Sequence, residues 1–90
     1  MPLKLKTPPL RNQSGLTRFP NGDVYEGEFL DGRMHGYGQY RFSDGSKYEG
    51  EYQRGERHGR GKMTWPDGSV YEGEFRNGER SGTGVLMFST

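Results

Sequence analysis

The sequence predicts an all-β fold, a single elongated, twisted antiparallel sheet of repeated β-hairpins with about seven short strands. Three observations lead there. The stretch Tyr25-Glu26-Gly27-Glu28-Phe29 alternates like a strand, and it returns at Tyr48–Tyr52 and Tyr71–Phe75, each time 23 residues further on. The tripeptides "PNG", "SDG" and "PDG" at 20–22, 43–45 and 66–68 recur with the same period and carry hairpin-turn chemistry. Only 28% of the chain is hydrophobic, against sixteen glycines and five Phe, six Tyr and one Trp, which is too little for a two-layer core. A period in the twenties signals an array in which each unit buries its face on its neighbours.

In chain order, residues 1–14 form a basic, proline-containing tail expected to be disordered, with Lys4, Lys6 and Arg11 as its cations. A half unit at 15–24 follows, then repeats at 25–47, 48–70 and 71–90. Each repeat supplies two candidate strands, such as 24–29 and 36–42. Pro66 and Asp67 suit right-handed turn positions, and Gly68 the left-handed residue that closes a bulge.

A three-residue loop at 66–68 pairs Met63 with Tyr71 and Gly61 with Gly73. On the other side, Phe29 placed opposite Gly36 pairs Gly27 with Gly38 and Tyr25 with Tyr40. Carried through the repeats, Gly15, Gly27, Gly38, Gly50, Gly61, Gly73 and Gly84 fall in one row crossing every strand. The next row is Thr17, Tyr25, Tyr40, Tyr48, Met63, Tyr71 and Leu86. On the other flank, Phe29, Tyr52 and Phe75 alternate with Gly36, Gly59 and Gly82. All share one face because strand side chains alternate. The glycine row is thus a trough into which rings lean, and it lets one layer bend into a half-pipe that makes its own core.

The opposite face reads polar, with Lys62 between Glu49 and Glu72 and Arg60 between Glu51 and Glu74. The last strand, 82–88, is expected as an open edge with Leu86 and Phe88 on the groove face and Val85 and Met87 on the other. Such an edge invites a partner strand or a second copy, most simply as a two-fold antiparallel homodimer.

The Glu-x-Glu pairs read as a solvated ladder rather than catalytic carboxylates, and His35 and His58 as turn packing rather than metal ligands. The sequence has no cysteine and no Gly-Lys-Ser/Thr phosphate loop, so no catalytic residue, metal or cofactor is assigned. Residues 1–23 carry a net charge of +3 and 24–90 of −2, too mild for a dedicated nucleic-acid binder. Arg33, Arg54, Arg57, Arg76 and Arg80 are placed on hairpin tips beside Asp31, Glu56 and Glu79. With the tail cations they form a candidate headgroup patch for acidic phospholipid. A candidate partner groove is lined by Tyr25, Phe29, Tyr40, Phe42, Tyr48, Tyr52, Met63, Trp65, Tyr71 and Phe75, with Trp65 and Tyr48 as the anchors. With no apolar run suited to a secretory signal or a membrane span, a cytoplasmic protein is expected, associated with cytoskeleton or membrane.

The segments "YEGEF-DGRMHGYG" (25–29, 31–38), "YEGEYQRGERHGRG" (48–61) and "YEGEFRNGERSGTG" (71–84) resemble the MORN repeat, short for membrane occupation and recognition nexus. The resemblance covers 15–90, and residues 1–14 have no counterpart. The family pattern often has tryptophan where this chain has Phe29, Tyr52 and Phe75. The resemblance implies a non-catalytic scaffold of hairpins that binds protein partners or itself. Acidic phospholipid binding is its alternative.

Overall fold

A computed structural model describes residues 13–88. They form one seven-stranded antiparallel sheet: β1 (Gln13–Arg18), β2 (Val24–Leu30), β3 (Arg33–Arg41), β4 (Lys47–Gln53), β5 (Glu56–Thr64), β6 (Val70–Arg76) and β7 (Glu79–Met87). Strands lie in sequence order, so every connection is a hairpin. The Cα trace measures 64 × 31 × 15 Å, a single layer with its core on one face.

Two kinds of turn alternate. Between units, the Trp65 N–H donates to the Ser69 carbonyl and the Gly68 N–H to the Trp65 carbonyl, each at 2.9 Å. Gly68 takes the left-handed φ of 92° that such a loop requires. The Asp67 carboxylate accepts from the Ser69 N–H at 2.8 Å, and Asp44 does the same for Ser46. These loops are as expected from the tripeptides.

The turns within units differ from expectation. Asp31-Gly32, Arg54-Gly55 and Asn77-Gly78 have both residues left-handed, so each hairpin closes on two residues, with Leu30 facing Arg33, Gln53 facing Glu56 and Arg76 facing Glu79. The strands after these turns therefore begin three residues before the expected positions, at Arg33, Glu56 and Glu79. Phe29 faces Met34, not Gly36, and the register shifts before Gly27 meets Gly38. Gly36, Gly59 and Gly82, all with positive φ, sit in the resulting bulges. Between units the expected pairs hold, with Gly36 facing Tyr52 and Gly59 facing Phe75. At the other end, β1 opens at Gln13, so residues 13–14 belong to the sheet and not to the tail.

The glycine row is continuous from Gly15 through Gly84, and its purpose is visible. Each repeat tyrosine folds over its own strand's glycine and the one facing it. Its hydroxyl donates to the carbonyl three residues on: Tyr25 to Glu28 and Tyr48 to Glu51 at 2.8 Å, Tyr71 to Glu74 at 3.1 Å. A Cβ at Gly61 would meet the Tyr48 ring, with Cζ at 2.5 Å. A Cβ at Gly50 would meet the Arg60 carbonyl oxygen at 2.6 Å. No side chain fits either position, and this is why a strand carries glycine at its centre. The accepting glutamates stand where the ladder is interrupted. Their carboxylates also brace the bulges, Glu28 accepting from the Tyr37 N–H at 2.8 Å and Glu51 from the Arg60 N–H at 2.9 Å.

Rings interlock from one unit to the next. Tyr25 meets Phe29 of its own unit and Tyr52 of the following one edge-on; Tyr48 does the same with Tyr52 and Phe75, with centroids 5.0–5.3 Å apart. Such pairs add about 0.5–1.5 kcal/mol each beyond burial. Tip hairpins are tied as well, the Gly55 N–H donating to the Met34 carbonyl and the Gly78 N–H to that of Arg57, both at 2.9 Å.

The opposite face departs from the expected ladder. Lys62 does lie between Glu49 and Glu72, and Arg60 faces Glu74. Arg60 does not face Glu51, however, because the bulge at Gly59 intervenes. Among the described residues the one ion pair is Lys47–Glu49 at 3.6 Å. Cations spaced along an exposed strand have little reason to hold one geometry.

Candidate functional site

The two-residue turns and the bulges behind them place Met34, Arg57 and Arg80, one per unit, on the ring face. The loops between units place Phe42 and Trp65 along the opposite lip. Between the second and third units these rows bound a groove of about 650 Å³, which Asp44, Ser46, Met63, Phe75, Gly78 and Glu79 also line. Its size is that of sites that take small ligands or a peptide side chain or two.

The two arginines in it differ in state. Arg57 is half-buried, its guanidinium 5.7 Å from the Tyr48 ring centroid and 5.5 Å from that of Phe75. It also donates to the Gly78 carbonyl and to the Met63 sulfur. Arg80 is exposed and lies 5.8 Å from the Trp65 ring and 5.4 Å from Tyr71. A guanidinium stacked on a ring keeps its in-plane N–H fork free for carboxylate or carbonyl oxygens. The groove therefore offers an indole, a phenyl ring and an oriented cation together.

The expected groove residues divide into two sets. Tyr25 and Tyr48 are 0% exposed, and Tyr52, Met63, Tyr71 and Phe75 are also buried, all in one core cluster. Tyr48 is thus no surface anchor, because the glycine row draws its ring down onto the sheet. Phe29, Tyr40, Phe42 and Trp65 are half-buried, and of these Phe42 and Trp65 reach the groove. Burial pushes the phenols of Tyr48 and Tyr52 up well beyond the ordinary range. Burial, aided by nearby Glu28, pushes Tyr25 up to about 12. None of the three is poised for proton transfer.

Of the expected tip arginines, Arg57 and Arg80 are on the ring face instead, because the tight turns start the following strands early. Arg33, Arg54 and Arg76 are exposed at or beside the turns. Lys4, Lys6 and Arg11 lie outside the described residues. The expected edge residues Val85, Leu86, Met87 and Phe88 are all exposed, at 59%, 40%, 47% and 74%. His35 and His58 are half-buried beside a shallow hollow with Tyr52 and Glu51.

Two residues escaped the sequence reading. Met34 belongs to the Arg57 and Arg80 series, which its 23-residue spacing would have revealed. Asp23 is buried and ties the first two loops together. Its carboxylate accepts from the Tyr40 hydroxyl at 2.7 Å and from the Ser43 N–H at 2.8 Å. The Tyr40 hydrogen bond, ahead of the others, holds its pKa below the usual carboxylate value. Its counterparts are Ser46 and Ser69, so no repeat signal marked it.

A family model described as "MORN repeat" matches residues 25–47, 48–70 and 71–90, the three units delimited above. No curated protein matches the chain.

Proposed function

Since this chain belongs to the MORN repeat family, a repeat module associated with protein and membrane interaction, we propose that it is a non-catalytic protein-binding scaffold. Its partners dock in the groove beside Trp65 and along the open strand β7. One observation carries this reading. The sheet seals its repeat tyrosines in its own core yet leaves Trp65, Phe42 and Arg80 together in a groove of about 650 Å³. Large rings and arginine gathered in a concavity are the residues that anchor protein interfaces.

The test is capture of partners from cell extract by wild type and by Trp65→Ala with Arg80→Ala. Loss of the same captured protein in the variant, with an unchanged melting temperature, supports the reading. Identical capture by both refutes the groove. Acidic phospholipid is the weaker reading, because Arg57 and Arg80 lie on the ring face against rings rather than on the tips, and Arg33 and Arg54 stand beside Asp31 and Glu56. Salt-sensitive binding of acidic vesicles that is lost on deletion of residues 1–14 would fit the tail cations, and binding that survives the deletion would favour the sheet.

A further inference from the structure

The groove between the second and third units has a counterpart one repeat earlier, and there a ring fills it. That ring is Tyr40. It stacks on Phe19 with centroids 5.8 Å apart, tilts against Phe42 at 4.7 Å, and its hydroxyl donates to Asp23 Oδ2 at 2.7 Å. One repeat on, 23 residues later, Met63 stands for Tyr40, Phe42 for Phe19, Trp65 for Phe42 and Ser46 for Asp23. All four line the groove of about 650 Å³. The walls that hold a tyrosine ring are therefore kept, while the ring itself is replaced by an unbranched thioether. These four walls stand on β5 and on the loops β3–β4 and β5–β6, whose strands are all paired on both sides. The outer edge of β7 contributes nothing to them.

The polar end of the groove keeps its acceptors. At the earlier junction, Asp23 Oδ2 accepts from the Asn21 amide at 3.2 Å as well as from the Tyr40 hydroxyl, so the Asn21 side chain stands beside the phenol. The residue one repeat after Asn21 is Asp44, whose carboxylate accepts from the N–H of the buried Ser46 at 2.8 Å. This end thus offers a carboxylate and a hydroxyl where a phenolic O–H belongs, groups that accept a neutral donor and disfavour an anion. Of the groove's cations, Arg57 is committed to the Gly78 carbonyl and the Met63 sulfur.

We infer that this groove is a receptor for a tyrosyl side chain supplied by a partner polypeptide. The incoming ring lies over Met63 between Phe42 and Trp65, as Tyr40 lies between Phe19 and Phe42, and its hydroxyl donates at the Asp44 and Ser46 end. Phosphorylation of that tyrosine blocks docking, since it removes the donor and sets a dianion beside Asp44. The inference rests on the scaffold reading and names the residue type that the groove selects.

The probes are N-acetyl-tyrosinamide, its phenylalanine and leucine analogues and its O-phosphate, titrated into the 90-residue protein and followed by NMR. The tyrosine probe should saturate with a Kd of about 1 mM, ordinary for so small a ligand, and shift the Trp65 indole N–H and the amides of Phe42 and Ser46. The phenylalanine analogue should bind about two- to tenfold more weakly for want of one hydrogen bond, and the leucine and O-phosphate probes about tenfold or more weakly. Met63→Tyr should supply the ring from within, melting at or above the wild-type temperature and weakening the tyrosine probe about tenfold or more. A lowered melting temperature in that variant would mean that the groove has no room for the ring, and the inference would be overturned. It would also be overturned by equal binding of the leucine probe, or by tighter binding of the O-phosphate or of free L-tyrosine. If no probe binds while Trp65-dependent capture from extract persists, this inference falls and the scaffold reading stands.

Discussion

Gly61→Ala and Gly15→Ala are the same substitution in the same glycine row, and the structure assigns them opposite signs. At Gly61 the added Cβ would collide with the Tyr48 ring and hydroxyl. Tyr48 cannot step aside, being 0% exposed, wedged edge-on between Tyr52 and Phe75, and bonded through its hydroxyl to Glu51. Expelling it forfeits a buried aromatic side chain, about 3–5 kcal/mol by analogy with Phe→Ala, and a hydrogen bond of about 0.5–1.5 kcal/mol. Relief of glycine's backbone entropy returns about 0.5–1 kcal/mol. The net loss of about 3–5 kcal/mol is comparable to the whole stability of a small domain. At Gly15 the Cβ would make an ordinary contact with the Phe29 ring at 3.5 Å, and only the entropic gain remains. Circular dichroism melts of both variants decide the matter. Gly61→Ala should be unfolded or melt more than ten degrees lower, at about 4–8 °C per kcal/mol, and Gly15→Ala should match or exceed wild type. Equal damage from both, or a Gly61→Ala melt within a few degrees of wild type, refutes the packing argument.

Other consequences are checkable by similar means. Arg54 holds φ at 53° in a two-residue turn where the other units have Asp31 and Asn77, so Arg54→Asn should stabilise by about 1 kcal/mol in urea denaturation. The phenols of Tyr25 and Tyr40 are raised from 10.0 to about 12, chiefly by burial, and a raised pKa stabilises the fold in full only below the unfolded value. Stability should therefore fall as pH rises from 10 towards 12, read as a falling urea midpoint of the β signal in circular dichroism. Asp23 is lowered below 3.8, so its contribution is present above that pH and lost as pH falls through the lowered value. Melting temperatures of wild type and Asp23→Asn should accordingly differ at neutral pH and converge in acid.

Much of this protein was legible in its sequence because the information is local and repeated. Strand alternation and a 23-residue period put the glycines in one row, and Gly22, Gly45 and Gly68 revealed their loops, since each needs only its own neighbours to fold as it does. The turns at 31–32, 54–55 and 77–78 could also have been read, Asp-Gly and Asn-Gly being strong two-residue hairpin signals. Taking a longer loop there shifted Arg57 and Arg80 from the ring face to the tips. What only the tertiary structure decided is which groups remain free once the rings have packed. Sequence marks Tyr48 and Trp65 alike as aromatic, yet the first is drawn onto glycine and sealed while the second stays on a lip. The difference depends on the glycines beneath the Tyr48 ring and on the Phe75 ring arriving from the next unit. Those are contacts between distant residues, settled by three-dimensional packing rather than by any single repeat.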